Sequence, residues 1–301
     1  MTAGVLAVLA VVLAGPVPAG LARLPAFRRT PVAAVIVWQA VALAAVLAAV
    51  GAGLALATDR AWREDPGPLS AVVVLVAAGV AATVVVRLLA CGHLVGTRIR
   101  ARRRRFRSHV DLLAHRDRER PGVLVVEHDA PVAYCLPAMA ASRVVVSTGT
   151  IRLLSSAELD AVIAHERAHV RGRHDLVLEA FSVIQRAFPR WVASRAALDE
   201  VSVLVEVLAD RAAVRRHGSD PVAHALVALA AGDGTSTAAE GVGLDLRGSG
   251  RTALARVGLL GRASRPVRDA VQSAALVTAA AALLVLPTVL VVRPWLASLA
   301  G

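Results

Sequence analysis

Two histidines stand four residues apart in AVIAHERAHV, residues 161–170, with a glutamate directly after the first. On an α-helix this spacing puts His165 and His169 about 40° apart around the axis and one turn apart along it, so both imidazoles leave one face. Two imidazoles so placed can share a divalent ion. Glu166, one position on, can polarise a water held there without ligating the ion itself. A catalytic zinc takes three protein ligands and keeps a position for water, so a third donor must come from elsewhere. His174 lies five residues past His169, about 140° further round a continuous helix, where it cannot reach the ion. His217 sits at a helix end among arginines. Glu206, in LVEVLADRAAV, lies on a following helix with Asp210 one turn later on the same face. This acidic pair interrupts an apolar stripe (Val203, Leu204, Val207, Leu208), where carboxylates are costly to bury without a cation. Glu206 is therefore the favoured third ligand of one Zn2+ per chain. Asp210 is placed to accept the free N–H of a ligand imidazole.

These side chains need a helical pair to hold them. The SSAE segment opens the first helix, with Ser155 as cap and Glu158 reaching back to the cap's own amide. The spacing predicts that this helix runs on, unbroken, to Pro189. A second helix, about 194–217, ends at Gly218, and a short turn containing PRW joins the two. Upstream, 108–118 reads as a short helical continuation. GVLVVEHDAPVAYCLP and SRVVVSTGTIRLL, rich in Val and bounded by Gly, Pro and Ser, read as strands. Beyond a short helix near 220–231, residues 232–250 read as a loop and are a candidate site of self-cleavage.

The rest of the chain is apolar. Hydrophobic residues make up 56% of the 301 residues, above the roughly 45–50% of soluble chains. The excess falls in four blocks, about 3–22, 32–57, 70–96 and 270–292. Each is near the ~20 residues needed to cross a bilayer as a helix. The expected architecture is a mainly α membrane protein with three transmembrane helices in 1–96. A soluble α+β domain follows at 97–269, inserted before a fourth transmembrane helix in 270–301. The first block lacks the basic segment of a signal peptide and reads as an uncleaved helix with its N-terminus outside.

The net charge of +12 is distributed with a side. Thirteen arginines flank the helix ends on one face, at 23, 28 and 29, between 98 and 107, and at 262, 265 and 268; only Arg60, Arg63 and Arg293 flank the other. Positive residues accumulate on the cytoplasmic side, so the soluble domain is expected in the cytoplasm of a multi-pass cell-membrane protein of bacterial type. The cluster Arg98–Arg107 follows the third block immediately, as in contacts with anionic lipid. No base-reading motif or aromatic platform accompanies it, so nucleic acid is not an expected partner. Arg87, inside the third block, lies near its cytoplasmic end and can snorkel. Gln39 beside Trp38 suggests interhelical packing or hydrogen bonding. Cys91 and Cys135 imply no disulfide framework.

HERAH and EVLAD resemble the zinc and third-ligand motifs of gluzincin metallopeptidases. The order of three membrane helices, a cytoplasmic zinc domain and a fourth helix is similar to the BlaR/MecR-type sensor peptidases, with APVAYCLP and VVVSTGTIRLLSSAELDAVIAHERAHVRGRHDL as supporting phrases. The resemblance implies a zinc endopeptidase with a gluzincin-like domain. In it His165, His169 and Glu206 bind zinc, Glu166 is the general base, Asp210 supports a ligand, and a protein or peptide is cut. It also suggests a signalling role in which a transcriptional repressor is the regulatory partner. Those sensors carry an extracellular antibiotic-binding domain after the last helix, and this sequence ends at Gly301, so antibiotic sensing of that kind is not expected. The HtpX/CAAX-protease group, typical of membrane quality control, shares the zinc motifs with differently distributed helices. A non-catalytic zinc-containing membrane signalling protein is the competing class. RVVVSTG is the strand expected to offer a free edge to an extended substrate. His128 and Tyr134, near the strands, are candidates for stabilising an oxyanion.

Overall fold

The computed structural model describes residues 2–61, 67–136, 142–189, 195–232, 250–260 and 266–300. Of the candidate cleavage segment 232–250, residues 233–249 lie outside them, as does most of the PRW turn. In chain order come α1 (Thr2–Ala14), α2 (Pro16–Leu21), a 3-10 turn (Pro25–Arg29), α3 (Pro31–Ala61) and α4 (Pro68–Leu113). Strands β1 (Ala114–Arg116), β2 (Val123–Val126), β3 (Ala133–Leu136) and β4 (Arg143–Ser147) follow. Then come α5 (Thr148–Leu153), α6 (Ser156–Arg171), α7 (His174–Ala187), α8 (Arg195–His217), α9 (Ser219–Gly232), α10 (Gly250–Leu260) and α11 (Pro266–Ala300). Proline opens α2, α3, α4 and α11, where its missing N–H is not needed and its fixed φ suits the helix. Gly218, at φ 85°, ends α8 in the left-handed conformation that a residue with no Cβ adopts freely.

The chain divides into two compact units. The first comprises Met1–Leu94, Ala180–Val201 and Arg265–Gly301. Its apolar blocks give four helical stretches long and apolar enough to cross a membrane: Thr2–Leu21, Pro31–Asp59, Pro68–Leu113 and Pro266–Val292. Helix α3 packs against both α1 and α11. It does so through small side chains, with Ala34, Ala44 and Ala48 fully buried, the means by which membrane helices approach closely. At Gly53 the approach is backbone-tight: a Cβ there would lie 2.8 Å from the Ala77 carbonyl oxygen and 2.8 Å from the Ala81 Cβ. Arg28 Nε and Nη2 donate to the two carboxylate oxygens of the buried Glu200, at 2.9 and 2.7 Å. Arg87 does not simply reach for water. Its Nε donates to the Ala187 carbonyl at 2.7 Å, satisfying an acceptor at the end of α7. Gln39 lies on an exposed face of α3.

The second unit, Val95–Glu179 and Ser202–Ser264, holds the sheet, in the order β1-β2-β4-β3. The β2–β4 pair is parallel, and β1–β2 and β3–β4 are antiparallel. Val123, Val125, Val144 and Val146 point to the face packed by Leu159, Val162 and Ile163 of α6. The alternate residues Leu124, Val126, Tyr134, Leu136 and Val145 face Phe106 and Val110 of α4. With apolar residues on both faces, the Val144–Val146 run belongs to an interior strand.

Three expectations about the elements are corrected here. Strand β4, within RVVVSTG, is central, so the edge nearest α6 among the described residues is β3. The TGTIRL segment after it is helix, because Ser147 Oγ accepts from the Thr150 amide and caps α5. Residues 114–116 leave α4 to form β1 rather than continue the helix.

Candidate metal centre

Helix α6 starts where the capping box puts it. Ser155 Oγ accepts from the Glu158 amide, and Glu158 Oε2 accepts from the Ser155 amide at 2.8 Å. With its apolar stripe on the sheet, a different face carries His165 and His169. Helix α8 supplies the opposite wall: Leu204, Val205 and Val207 are buried, and among them Glu206 and Asp210 are 9% and 1% exposed.

The structure brings His165, His169 and Glu206 together. The two Nε2 atoms lie 3.1 Å apart; His165 Nε2 is 3.5 Å from Glu206 Oε2, and His169 Nε2 is 3.4 Å from Glu206 Oε1. Three donors at about 2.0–2.1 Å from one tetrahedral ion stand about 3.3–3.4 Å apart. The donor set therefore fits zinc in chemistry and in spacing, and these residues form a group able to hold a metal ion.

Behind the donors, each imidazole is held by its other nitrogen. His165 Nδ1 lies 2.9 Å from Asp210 Oδ1. His169 Nδ1 lies 3.0 Å from Nδ1 of His174, which is buried. His174 reaches this place because the predicted long helix is broken. Helix α6 stops at Arg171, Arg173 takes φ 49°, and α7 restarts at His174. The expectation of one continuous helix to Pro189 is thus corrected, and with it the 140° offset that kept His174 away.

The charged groups of the centre shift one another's ionisation. Burial alone would lower the pKa of His165, but hydrogen bonds to Asp210 and Glu206, with their charges, raise it to about 10. Burial and the neighbouring His165 charge hold His169 down to about 3. Glu206 goes to about 2: burial opposes its ionisation, and the hydrogen bond and charge of His165 outweigh that. Asp210 is likewise held well below the usual carboxylate range, against burial, by Arg256 and His165. Glu166 moves the other way. Burial is the main cause, and it raises the carboxyl above its ordinary value.

Two residues of the site were missed in the sequence. Arg256, on α10, donates through Nε and Nη2 to both oxygens of Asp210, at 2.8 and 2.6 Å, and its Nη1 lies 3.0 Å from Glu206 Oε2. It is the fixed counter-charge of the acidic pair. Cys135, on β3, lies beside Glu166, and the two influence each other's ionisation. Burial, with the Glu166 charge, pushes that thiol well above its ordinary range.

His128 and Tyr134 are not brought to this centre. His128 is exposed in the turn after β2, with Nδ1 against the Ala130 carbonyl at 3.3 Å. Tyr134 alternates with Cys135 and so points to the other face of the sheet, where its ring stacks edge-on against Phe106 at 5.6 Å; burial raises its phenol to about 12. Within the basic cluster of α4, Arg103 pairs with Asp175 of α7 at 3.0 Å.

Compared with known proteins, residues 100–237 match the model of Peptidase family M48. This segment is similar to the M48 peptidases. The match supports a metallopeptidase function, and it spans His165, Glu166, His169, Glu206 and Asp210. Arg256 lies beyond it. No curated protein and no solved structure gives a match. Together with the four apolar helices, the M48 match indicates a membrane-associated peptidase.

Proposed function

We propose that this M48 peptidase is a zinc endopeptidase that cuts protein substrates at the cytoplasmic face of a multi-pass membrane anchor. In this reading His165, His169 and Glu206 hold the metal, Glu166 is the general base and Asp210 orients His165. The observation that carries it is the pair of Nε2 atoms 3.1 Å apart, each within 3.5 Å of a Glu206 carboxylate oxygen, with a half-buried glutamate directly after the first histidine. A bound zinc supplies Lewis acidity to a carbonyl and to water. Glu166 takes the proton of the attacking water and hands it to the leaving amine. Burial raises that carboxyl above its ordinary value, the direction that makes a carboxylate a better proton acceptor.

An extended substrate would pair with β3, the edge strand that packs against α6. Cys135 on that strand lies beside Glu166, so the strand that would receive the chain also lines the base. The one-sided arginine count supports the cytoplasmic orientation. The arginine cluster at 98–107 is the candidate contact for anionic lipid. A repressor as substrate is supported by the resemblance to the BlaR/MecR-type peptidases.

The test is zinc content and casein or self-cleavage activity of the detergent-purified protein, with and without chelator, beside Glu166→Gln. One zinc per chain, chelator-sensitive cleavage, and a Gln variant that keeps the metal while losing about 10²–10⁴-fold in rate are expected. Zinc retained with activity undiminished in Glu166→Gln would remove Glu166 as the base. Zinc with no activity in either protein would favour the non-catalytic class.

A further inference from the structure

The geometry points to His174 as a positioning residue, one that fixes the tautomer and the ring plane of His169 by accepting its Nδ1–H. The inference rests on the metal reading above and assigns a role that neither the motif nor the third-ligand helix supplies. The two motif histidines have unlike backing. His165 has a carboxylate behind Nδ1, an acceptor at any neutral pH. His169 has the ring of His174 at 3.0 Å, with the rings crossing edge-on at 88°. For His169 to present Nε2 to the shared centre as a lone pair, its proton must sit on Nδ1. His174 must then keep an unprotonated Nδ1 and carry its own proton on Nε2.

The backbone is shaped to allow this contact. A Cβ at Gly172 would stand 2.4 Å from His174 Nε2 and 2.6 Å from its Cδ2, so any larger residue would push the ring away. Arg173 at φ 49° is the non-glycine residue with positive φ among the described residues, a conformation that side chains with a Cβ rarely take. Such a conformation persists where the surroundings enforce it, and functional sites are where these cluster. Here it returns the chain so that the fifth residue after His169 lies behind it instead of 140° away. A continuous helix would have left His169 without a partner for Nδ1 in this direction.

The test compares His174→Asn, whose side-chain oxygen can occupy the place of Nδ1, with His174→Phe, which fills the space and accepts nothing. The readouts are zinc affinity by competition with a chelator and the visible spectrum of the cobalt(II)-loaded protein, with the thermal midpoint as a check on folding. The Phe variant should lose about 10–100-fold in zinc affinity and change the cobalt spectrum. The Asn variant should stay close to the parent in both. Equal affinity in parent and Phe variant, or equal loss in Asn and Phe variants, overturns the acceptor role while leaving the metal site standing. A parent protein that binds no zinc overturns the metal reading and this inference together. Should the Phe variant not fold, 15N shifts of the histidine rings in the unaltered zinc-loaded protein decide: protons on His169 Nδ1 and His174 Nε2 are expected, and the opposite tautomer of His174 sinks the idea.

Discussion

Helices α3 and α8 each bury one face, but they bury opposite kinds of residue. Along α3 the buried surface is uncharged: alanines and glycine, with Val37, Trp38 and Val41 among them. Along α8 the contact surface includes Glu206 and Asp210, nearly as inaccessible as the alanines, with Arg256 and two imidazoles gathered round them. An apolar surface needs only a good fit. Buried carboxylates need partners, and leaving one unpaired is among the costlier things a fold can do. The second arrangement is therefore expected to fail by charge, and the first by volume.

The largest effect should follow from removing a metal donor. Glu206→Ala takes one of three protein ligands from the centre and should abolish stoichiometric zinc binding and all peptidase activity; metal content after gel filtration is the check. Zinc retained at one per chain in that variant would mean that a different side chain completes the site. Removing Asp210's counter-charge tests the charge argument separately. Arg256→Met leaves the two carboxylates without their fixed cation, and breaking a buried pair of this kind costs about 3–5 kcal/mol. Because zinc would restore positive charge beside Glu206, the loss of thermal stability should be larger in the metal-free protein than in the zinc-loaded one. Equal losses in both forms would show that Arg256 acts through packing and not through charge.

On the apolar side the corresponding change is Gly53→Val. A side chain there meets the Ala77 carbonyl and the Ala81 Cβ at distances that require the two helices to separate. Overpacking of this kind costs about 1–3 kcal/mol, read as a lower midpoint of thermal unfolding in detergent. Zinc affinity should be unchanged, and a parallel fall in both quantities would end the idea that the two helix contacts fail by different physics.

The same contrast explains what was legible in the sequence. Apolar blocks declare themselves by length and composition, and the four candidate spans overlap the blocks read from hydropathy. The spacing of His165, Glu166 and His169, and of Glu206 and Asp210, is set by helical geometry, so their shared faces follow from their numbers. The structure puts the three predicted donors within one ion's reach. What was not legible depends on tertiary contact. Gly172 was visible, but the apolar periodicity resumes after it, and nothing local shows that His174 folds back. Arg256 is one of 34 basic residues, 46 positions beyond the aspartate it pairs with, and no pattern marks it among the others. The centrality of β4 was legible and overlooked: three consecutive buried valines are the mark of a strand covered on both faces, not of an edge. Tyr134 fails as an oxyanion candidate by the same parity, since Cys135 beside it takes the α6 face.

The smallest effect tests whether the site depends on where its helix begins. The capping box at Ser155 and Glu158 lies almost three turns before His165, on an exposed surface, and touches none of the site residues. Ser155→Ala removes an oxygen that accepts from the Glu158 amide and should cost about 1 kcal/mol of stability. The donors should be unaffected, because α6 is held in register by Leu159, Val162 and Ile163 against the sheet and not by its first turn. A variant that is less stable by that amount yet binds zinc as the parent does would fit this division. A loss of zinc affinity larger than the loss of stability would mean that fraying at the first turn reaches His165, and that the register of α6 is set from its cap.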